Sequence, residues 1–580
     1  MASAVAAERG KARKVVGSRA LARLEGAASA HRDSACASGQ ARTHAMNRLP
    51  LHSAILASVL SVCAMAGSSR GRAVQAPLQF APPKDWQRLP VMPHEAHHIA
   101  RWIDPAAKAH EYAFQGGAKA RESTSNVLDV LVFSTAGDQP TIESRHPGYL
   151  ALMGRELPGL SFVPGAVEAN GGFECTSLEG VLYEDAVGQP RRCLLVRLCR
   201  QGDLEVALQM RCSPATRADA EAALVAVAKS LKPARAGKSA PPWAAPRPAI
   251  LWRDMAGLDV VESAKLMAEQ SQAIKAWTKA SLPPGWKATE EGGVLLLHAD
   301  KSAEAKDLGR DMAAWRAWLE ARFGDHVARK AARTTVLTVY RGVEYEQSRR
   351  DDANAQDLRR LRQGMPFSII GCEDHKSQGN WSHSIAGRGV LEAWFEDRDP
   401  DLRRVLPTWL EKGLNSLAAA ARAKGGVSFD PTTWERRGIQ FASAKDRILS
   451  ARDILTKPYP SAGQGPLSSD QVAELECHAA QLLRTLSGPA ARAHEPSSRL
   501  LDRLLWCLAR QVERERPAVD EALAKTNLPA EATDWDRALE RRRHWIGRAQ
   551  EMQRKAVEEA LADWTAKDWE ALERLHRAAY

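Results

Sequence analysis

The chain has 580 residues, of which 44% are apolar and 26% charged, a composition that is typical of folded globular proteins and excludes a disordered scaffold. A chain of this length is too long to fold around a single hydrophobic core, and it indicates roughly three or four domain-sized units. The net charge of +11 is concentrated at the N-terminus, where residues 1–76 hold 11 Lys/Arg and 3 Asp/Glu, against 70 and 67 in the remainder. Because the remainder is nearly balanced, we expect no nucleic-acid partner.

The N-terminal region predicts export. Residues 49–66, LPLHSAILASVLSVCAMA, form a long apolar run that follows Arg48 and precedes small residues. This order is typical of a secretory signal peptide, with an A-x-A cleavage site at 64–66. We therefore assign residues 1–76 to a leader and signal peptide, with translation expected to begin at Met46 rather than Met1. The mature protein is expected to be secreted or periplasmic, with no stable membrane span after cleavage.

Residues 77–231 predict a small α+β domain. A β-rich run begins at Val127, and two further β-rich runs, 192–200 and 204–212, flank a Gly-Asp turn and predict a hairpin. An apolar stripe at helical spacing over 224–231 then predicts a helix that closes the domain.

Four of the nine cysteines lie in this small domain, and none of them has the C-x-x-C spacing of a metal site. They are Cys175, Cys193, Cys199 and Cys212. In the predicted hairpin Cys193 lies opposite Cys212. Because disulfides form in exported proteins, this pair is interpreted either as a cross-strand disulfide or as two buried thiols.

Residues 232–248, KPARAGKSAPPWAAPRP, predict a linker, since Pro, Ala and Lys in this proportion cannot bury a core. Two halves that fold independently are therefore expected. In the second half, residues 249–580, an amphipathic helix is predicted over 303–323. Short strands are predicted at 293–298, 334–340 and 367–371, and the chain is predicted to be mostly helical after about residue 384.

The region from Gly285 to Arg548 resembles the peptidase-MA-like, gluzincin-type domains of exported bacterial proteins. Residues 406–415, LPTWLEKGLN, are similar to the P-x-W-L-x-E-G motif of that family, and residues 334–345 suit its central strand. The resemblance implies a strand that opens with Trp, a helix, a strand ending near a Tyr, an edge strand and a helix with H-E-x-x-H. In that family both His residues and a later Glu bind zinc, and the Glu of H-E-x-x-H is the general base.

The aligned positions of this chain lack the zinc ligands of the family. Leu391 and Phe395 stand at the two His positions, Glu392 is retained, and Lys412 stands at the position of the third ligand, one residue after Glu411. Leu and Phe donate no electron pair, and Lys places a positive charge where the dication would bind. The predicted fold class is therefore α+β, with a small N-terminal antiparallel-sheet domain and a mainly helical gluzincin-like C-terminal domain.

The predicted function is that of a non-catalytic, exported metallopeptidase-like protein with a binding or structural role. No catalytic residue and no cofactor are assigned to it. The expected partner is a peptide that pairs with the edge strand, or another envelope protein. Near the aligned helix, His375 and His383 with Glu373 and Asp374 are interpreted as a solvated loop, the alternative being a replacement metal site.

A literal H-E-x-x-H occurs elsewhere, at residues 94–98. It predicts an alternative function, an active zinc-dependent hydrolase with His94 and His98 as ligands, Asp104 as a candidate third ligand and Glu95 as the base. The motif needs a helix that carries both His residues on one face. The alternation of residues 97, 99, 101 and 103 instead favours a strand. A structural envelope protein without pocket chemistry is a third alternative.

Overall fold

The computed structural model describes residues 78–580 except 93–94, 96, 107, 115–117, 135–147, 157–158, 203, 234–259, 300–301, 326–333, 342–366, 375–380, 445–447, 458–468 and 529–533. The predicted leader, signal peptide and start codon lie outside the described residues, as does most of the predicted linker. The described residues up to Lys457 and those from Glu474 to Tyr580 belong to one compact unit.

The first part of the described chain is a domain of antiparallel strands. Its strands are β1 Leu78–Gln79, β2 Gln87–Leu89, β3 His98–Ile103, β4 Lys108–Ala113, β5 Lys119–Thr124, β6 Val127–Ser134, β7 Val163–Asn170, β8 Phe173–Glu184, β9 Pro190–Gln201, β10 Leu204–Cys212 and β11 Lys232–Pro233. Among the described strands, seven form one sheet in the order β2-β3-β6-β10-β9-β8-β7, while β4 pairs with β5 and β1 with β11. Two helices, α1 Tyr149–Glu156 and α2 Arg217–Ser230, accompany them.

Both faces of the central strands of the seven-stranded sheet are covered. On one face Val130 and Leu208 pack with Leu224 and Val227 of α2, and on the other face Leu131 packs with residues of α1. Successive side chains of a strand point to opposite faces, so a strand that is covered on both sides needs apolar residues at consecutive positions. This explains the nearly continuous apolar sequence of β6.

The second part contains a small mixed sheet followed by helices. Its strands are β12 Trp286–Glu291, β13 Val294–Ala299, β14 Thr334–Arg341, β15 Phe367–Asp374, β16 Ala421–Ala423 and β17 Val427–Phe429. Its helices are α3 Val260–Ala280, α4 Ala303–Phe323, α5 Trp381–Arg398, α6 Pro400–Arg404, α7 Thr408–Ala420, α8 Thr433–Ala444, α9 Ala451–Thr456, α10 Ser469–Ser487, α11 Glu495–Lys525, α12 Asp534–Ala560 and α13 Ala566–Ala578. In the described residues, the sheet order is β12-β13-β14-β15, antiparallel between β12 and β13 and parallel elsewhere.

The predicted α+β class is confirmed, since an antiparallel-sheet region precedes a mainly helical one. Helix α4 has the predicted bounds and connects the parallel strands β13 and β14. It begins after Ser302, whose side chain accepts a hydrogen bond from the backbone N–H of Ala305 and so satisfies one of the unpaired donors of the first turn.

The two halves of the chain share buried surface. Leu89, Ile103 and Val127 of the first sheet pack with Trp286 and Tyr340 of the second half. In addition, Lys232 and Pro233, which were predicted to begin the linker, form β11 and pair with β1. The expectation of two independently folding halves did not include these contacts.

Candidate functional site

Helices α5 and α7 carry the positions that the gluzincin resemblance singles out. Leu391 and Phe395 lie four residues apart on α5 and therefore on one face of the helix. Their side chains are 3% and 0% exposed and belong to the largest hydrophobic cluster of the described residues, which also contains Leu410 and Leu414 of α7. The two aligned histidine positions are thus occupied by core side chains.

Two glycines let the neighbouring helices approach closely. A Cβ atom at Gly387 of α5 would lie 2.5 Å from the carbonyl oxygen of Ala418 in α7. A Cβ atom at Gly413 of α7 would lie 2.7 Å from a methyl carbon of Leu483 in α10. The glycine of the W-L-x-E-G-like segment is therefore required by helix packing, which needs no catalytic explanation.

The two charged positions of the aligned motif are engaged in ion pairs. The Nζ atom of Lys412 lies 3.0 Å from Oε1 of Glu476 in α10. Oε1 of Glu392 lies 2.8 Å from Nη2 of Arg403 in α6. Of the four positions that align with the family's motifs, Leu391 and Phe395 therefore lie in the apolar core, and Glu392 and Lys412 each form a separate ion pair.

His383, near the start of α5, binds a carboxylate of α4. Its Nε2 lies 2.9 Å from Oδ2 of Asp311, whose other oxygen accepts a hydrogen bond of 2.8 Å from the backbone N–H of Ala423 in β16. His375 lies outside the described residues, and the neighbouring Glu373 and Asp374 form the end of β15. The histidine that the structure describes therefore links α5 to α4 and β16.

The H-E-x-x-H segment does not supply the helix that a zinc site of this type requires. His94 and Ala96 lie outside the described residues, but Glu95, His97 and His98 are not helical and β3 begins at His98. The period-two alternation over 97–103 accounts for this outcome, because it matches the pleat of a strand. The helical geometry of the zinc-hydrolase alternative is therefore wrong for the described part of the motif.

The other residues of this segment also have structural partners. The ring of His97 stacks on Phe133 with 4.3 Å between centroids. The carboxylate of Asp104, the candidate third ligand, accepts hydrogen bonds from the backbone N–H of Ala106 and from Asn126, at 2.9 and 3.4 Å. Asp104 thus stabilises the turn that follows β3.

A buried charge network explains the acidic and basic residues around this motif. Asp129 of β6 is fully buried, and its Oδ1 lies 2.5 Å from Nε of Arg101 in β3, while its Oδ2 accepts a hydrogen bond from Arg211 in β10. Arg101 also donates to Oε1 of Glu95 at 2.6 Å, and Nε2 of His98 lies 3.9 Å from Asp129. We call these five residues the Asp129 network.

Burial and the neighbouring charges of the Asp129 network determine the protonation states of Asp129 and His98. Burial acts to raise the pKa of Asp129, but Arg101 and Arg211 outweigh burial and hold this pKa below its ordinary value. Burial lowers the pKa of His98, against the opposing effects of Glu95 and Asp129. Near neutral pH the network therefore contains an ionised Asp129 between two guanidinium groups and a neutral imidazole.

Asp129 was not predicted as a site residue, although the sequence around it indicates that it is unusual. It is the one charged residue in the otherwise apolar run VLDVLVF at 127–133. Its partners come from β3 and β10, which lie on either side of β6 in the sheet. A lone charge in a strand that is buried on both faces requires such partners.

Cysteines of the first sheet form one disulfide and one pair of thiols. Cys212 lies opposite Cys193, so the predicted hairpin register is confirmed. Both residues are free thiols, whereas Cys175 of β8 and Cys199 of β9 form a disulfide that the sequence did not predict. All four residues lie on the sheet face that α2 covers.

Within the described ranges, no group of three or more His, Cys, Asp and Glu side chains has the arrangement of a metal site. None of the helices in the same described ranges has the length and apolar character needed to cross a bilayer.

No protein-family model matches the chain, and no curated protein matches it. A similar solved structure is the crystal structure of LpqN, described as involved in cell envelope biogenesis of Mycobacterium tuberculosis. The two chains share 13% sequence identity, and the match covers 27% of this chain and 83% of LpqN with a TM-score of 0.19. A TM-score at this level carries no argument about fold or function.

Proposed function

We propose that this chain is an exported, non-catalytic metallopeptidase-like protein with a binding or structural role. The proposal rests on the burial of Leu391 and Phe395, which are 3% and 0% exposed. A gluzincin-type zinc site needs lone-pair donors at these positions and an open coordination position for water. Two apolar side chains inside a packed cluster supply neither, so metal-dependent hydrolysis is not expected at this helix pair.

The order of the elements supports the metallopeptidase-like part of the proposal. Strand β12 begins at Trp286, α4 follows β13, and β14 carries Tyr340 next to its last residue. Strand β15 lies at the edge of the described sheet and immediately precedes α5 in the order of elements, and α7 carries the W-L-x-E-G-like segment. This is the succession of elements that the resemblance implies.

Restoring the missing ligands tests this resemblance. The triple variant Leu391→His, Phe395→His, Lys412→Glu rebuilds the family's ligand set around the retained Glu392. We expect the wild-type chain to hold no zinc and the folded triple variant to bind about one zinc per chain, measured by elemental analysis after dialysis. Circular dichroism establishes that the variant is folded.

A matched control separates a rebuilt site from accidental binding. Leu410→His with Leu414→His places two histidines four residues apart on α7, at positions that are equally buried. This variant is expected to bind no more zinc than wild type. If the folded triple variant binds no more zinc than this control, the metallopeptidase resemblance is rejected. Zinc in the wild-type chain together with cleavage of casein would reject the non-catalytic assignment.

For the binding role we propose that an extended peptide pairs with β15. Within the described residues β15 has a strand neighbour on the β14 side alone, so its other side offers backbone donors and acceptors for strand addition. Hydrogen–deuterium exchange in the presence of a casein peptide digest tests this mode. We expect slower exchange of the amides of residues 367–374 and unchanged exchange in β12, the opposite edge. Equal protection of both edges, or of neither, would contradict it.

A further inference from the structure

The two free thiols of the first sheet lie on neighbouring strands, where they can react with each other. Cys193 of β9 and Cys212 of β10 are direct partners in the antiparallel register, and their side chains share a hydrogen bond. Directly opposed residues of antiparallel strands have Cα atoms about 4.5–5.5 Å apart, which falls within the range that a disulfide spans. The same sheet already holds a disulfide between directly opposed residues, Cys175 and Cys199.

A cavity leads from solvent to one of the two thiols. It has a volume of about 490 Å³ and reaches Cys193, whereas Cys212 is 0% exposed and does not line it. Side chains of several chemical types line the cavity, among them His110, Tyr112, Lys119, Asp185 and Arg217. Cys193 is thus the outer thiol and Cys212 the inner one.

The hydrogen bond between the thiols gives them different acidities. It lowers the pKa of Cys193 to about 7, against the effect of burial and with help from the positive charge of Arg217. The same hydrogen bond and burial raise the pKa of Cys212 far above its ordinary value. The thiolate therefore forms on Cys193, the thiol that a molecule in the cavity can reach.

We propose that Cys193 and Cys212 form a thiol–disulfide exchange site whose substrates are small organic disulfides that enter this cavity. Cys193 is the attacking residue and Cys212 the resolving residue. Lys119 and Arg217 place positive charge at the cavity and Glu111 and Asp185 place negative charge there, so the lining favours no net charge on the disulfide. The proposal does not depend on the metallopeptidase-like assignment, because it concerns the other half of the chain.

The exchange needs no reactant besides the small disulfide. The Cys193 thiolate attacks one sulfur of the disulfide, so a mixed disulfide forms and the first thiolate leaves and takes a proton from water. Cys212 then attacks the sulfur of Cys193 while its proton passes to the second small thiolate, which leaves as a thiol. The protein dithiol is oxidised by two electrons to a Cys193–Cys212 disulfide, and the small disulfide is reduced to two thiols.

Oxidised glutathione is the probe for the test, with the mature chain first equilibrated in reduced glutathione. Peptide mass spectrometry is expected to find a Cys193–Cys212 disulfide in the wild type. Cys212→Ser should stop at a glutathionyl group on Cys193, and Cys193→Ser should leave Cys212 unmodified. The rate should rise about tenfold per pH unit below pH 7 and level off above it.

Two cysteines of the helical half serve as internal controls. Burial raises the pKa of Cys477 to about 12 and that of Cys507 to about 11, so both should react far more slowly than Cys193. If folded Cys212→Ser acquires no glutathionyl group on Cys193, the site is rejected. Because a variant can fail to fold, the alkylation rates of the wild type by iodoacetamide are also compared. Alkylation of Cys193 no faster than that of Cys477 at pH 7 would equally overturn the proposal.

Discussion

The Asp129 network makes a strong prediction about stability. Asp129→Asn preserves the shape of the side chain but removes the negative charge between Arg101 and Arg211, which remain buried with side chains 12% and 9% exposed. Removing one partner of a buried ion pair costs about 3–5 kcal/mol, because the remaining charge stays in a medium that solvates it poorly. A typical domain is stable by about 5–15 kcal/mol. We therefore expect the variant to lose a large part of the free energy of unfolding.

The lowered pKa of Asp129 also makes its contribution to the free energy of unfolding depend on pH, in a direction that can be worked out. The folded-state pKa lies below the ordinary value, so ionised Asp129 stabilises the fold above the unfolded-state pKa of about 3.9. This stabilisation is lost as the pH falls through that value towards the folded-state pKa. The difference in stability between wild type and Asp129→Asn should therefore shrink on acidification from pH 7 to pH 3.

Urea unfolding followed by far-ultraviolet circular dichroism, at pH 7 and at lower pH, measures both effects. Asp307→Asn is the control, because Asp307 pairs with Arg310 on the exposed surface of α4 and its removal should change stability little. The reasoning is refuted if Asp129→Asn unfolds at the same urea concentration as Asp307→Asn at pH 7.

Three further predictions concern packing and the disulfide, each measured by the same unfolding assay. Phe395→Ala should cost about 3–5 kcal/mol because the side chain is fully buried, and a loss below about 1 kcal/mol would contradict its place in the core. Gly387→Ala should cost about 1–3 kcal/mol, since the added carbon meets a backbone oxygen of α7 at 2.5 Å. Gly154→Ala, in helix α1, where an added Cβ atom has none of the described atoms within 4 Å, should instead stabilise by about 0.5–1 kcal/mol. If the two glycine variants change stability in the same direction, the comparison is refuted. Replacing both Cys175 and Cys199 with Ser should cost about 3–4 kcal/mol from loop entropy over their separation of 24 residues, and wild type treated with reductant should match this variant.

The helices and strands that were predicted correctly have a recognisable pattern of apolar and turn residues within their own segment of sequence. Helix α4 repeats apolar residues at helical spacing, and the hairpin of β9 and β10 has apolar runs on both sides of a Gly-Asp turn. The position of Cys193 opposite Cys212 follows from the turn, because the loop length fixes the register. Strands β4 and β5, KAHEYA and KAREST, lack such a pattern and were missed.

The Asp129 network could not be predicted because its partners are distant in sequence. Arg101 and Arg211 are 28 and 82 residues away from Asp129, and the pairing of β3 and β10 with β6 brings them together. The H-E-x-x-H motif at residues 94–98 is a related case, because its residue types alone left a helix and a strand both open. A short motif does not specify whether its backbone is helical, and the alternation that continues after His98 favoured a strand.

The apolar contact of Leu89, Ile103 and Val127 with Trp286 and Tyr340 has a consequence for proteolysis. Cleavage between the two halves would leave each fragment with one side of a hydrophobic interface. Arg88 also donates a hydrogen bond of 3.1 Å to the carbonyl oxygen of Ser281 across the same boundary. A nicked protein would therefore stay together as a two-fragment complex and elute at the size of the intact chain until a denaturant separates the pieces.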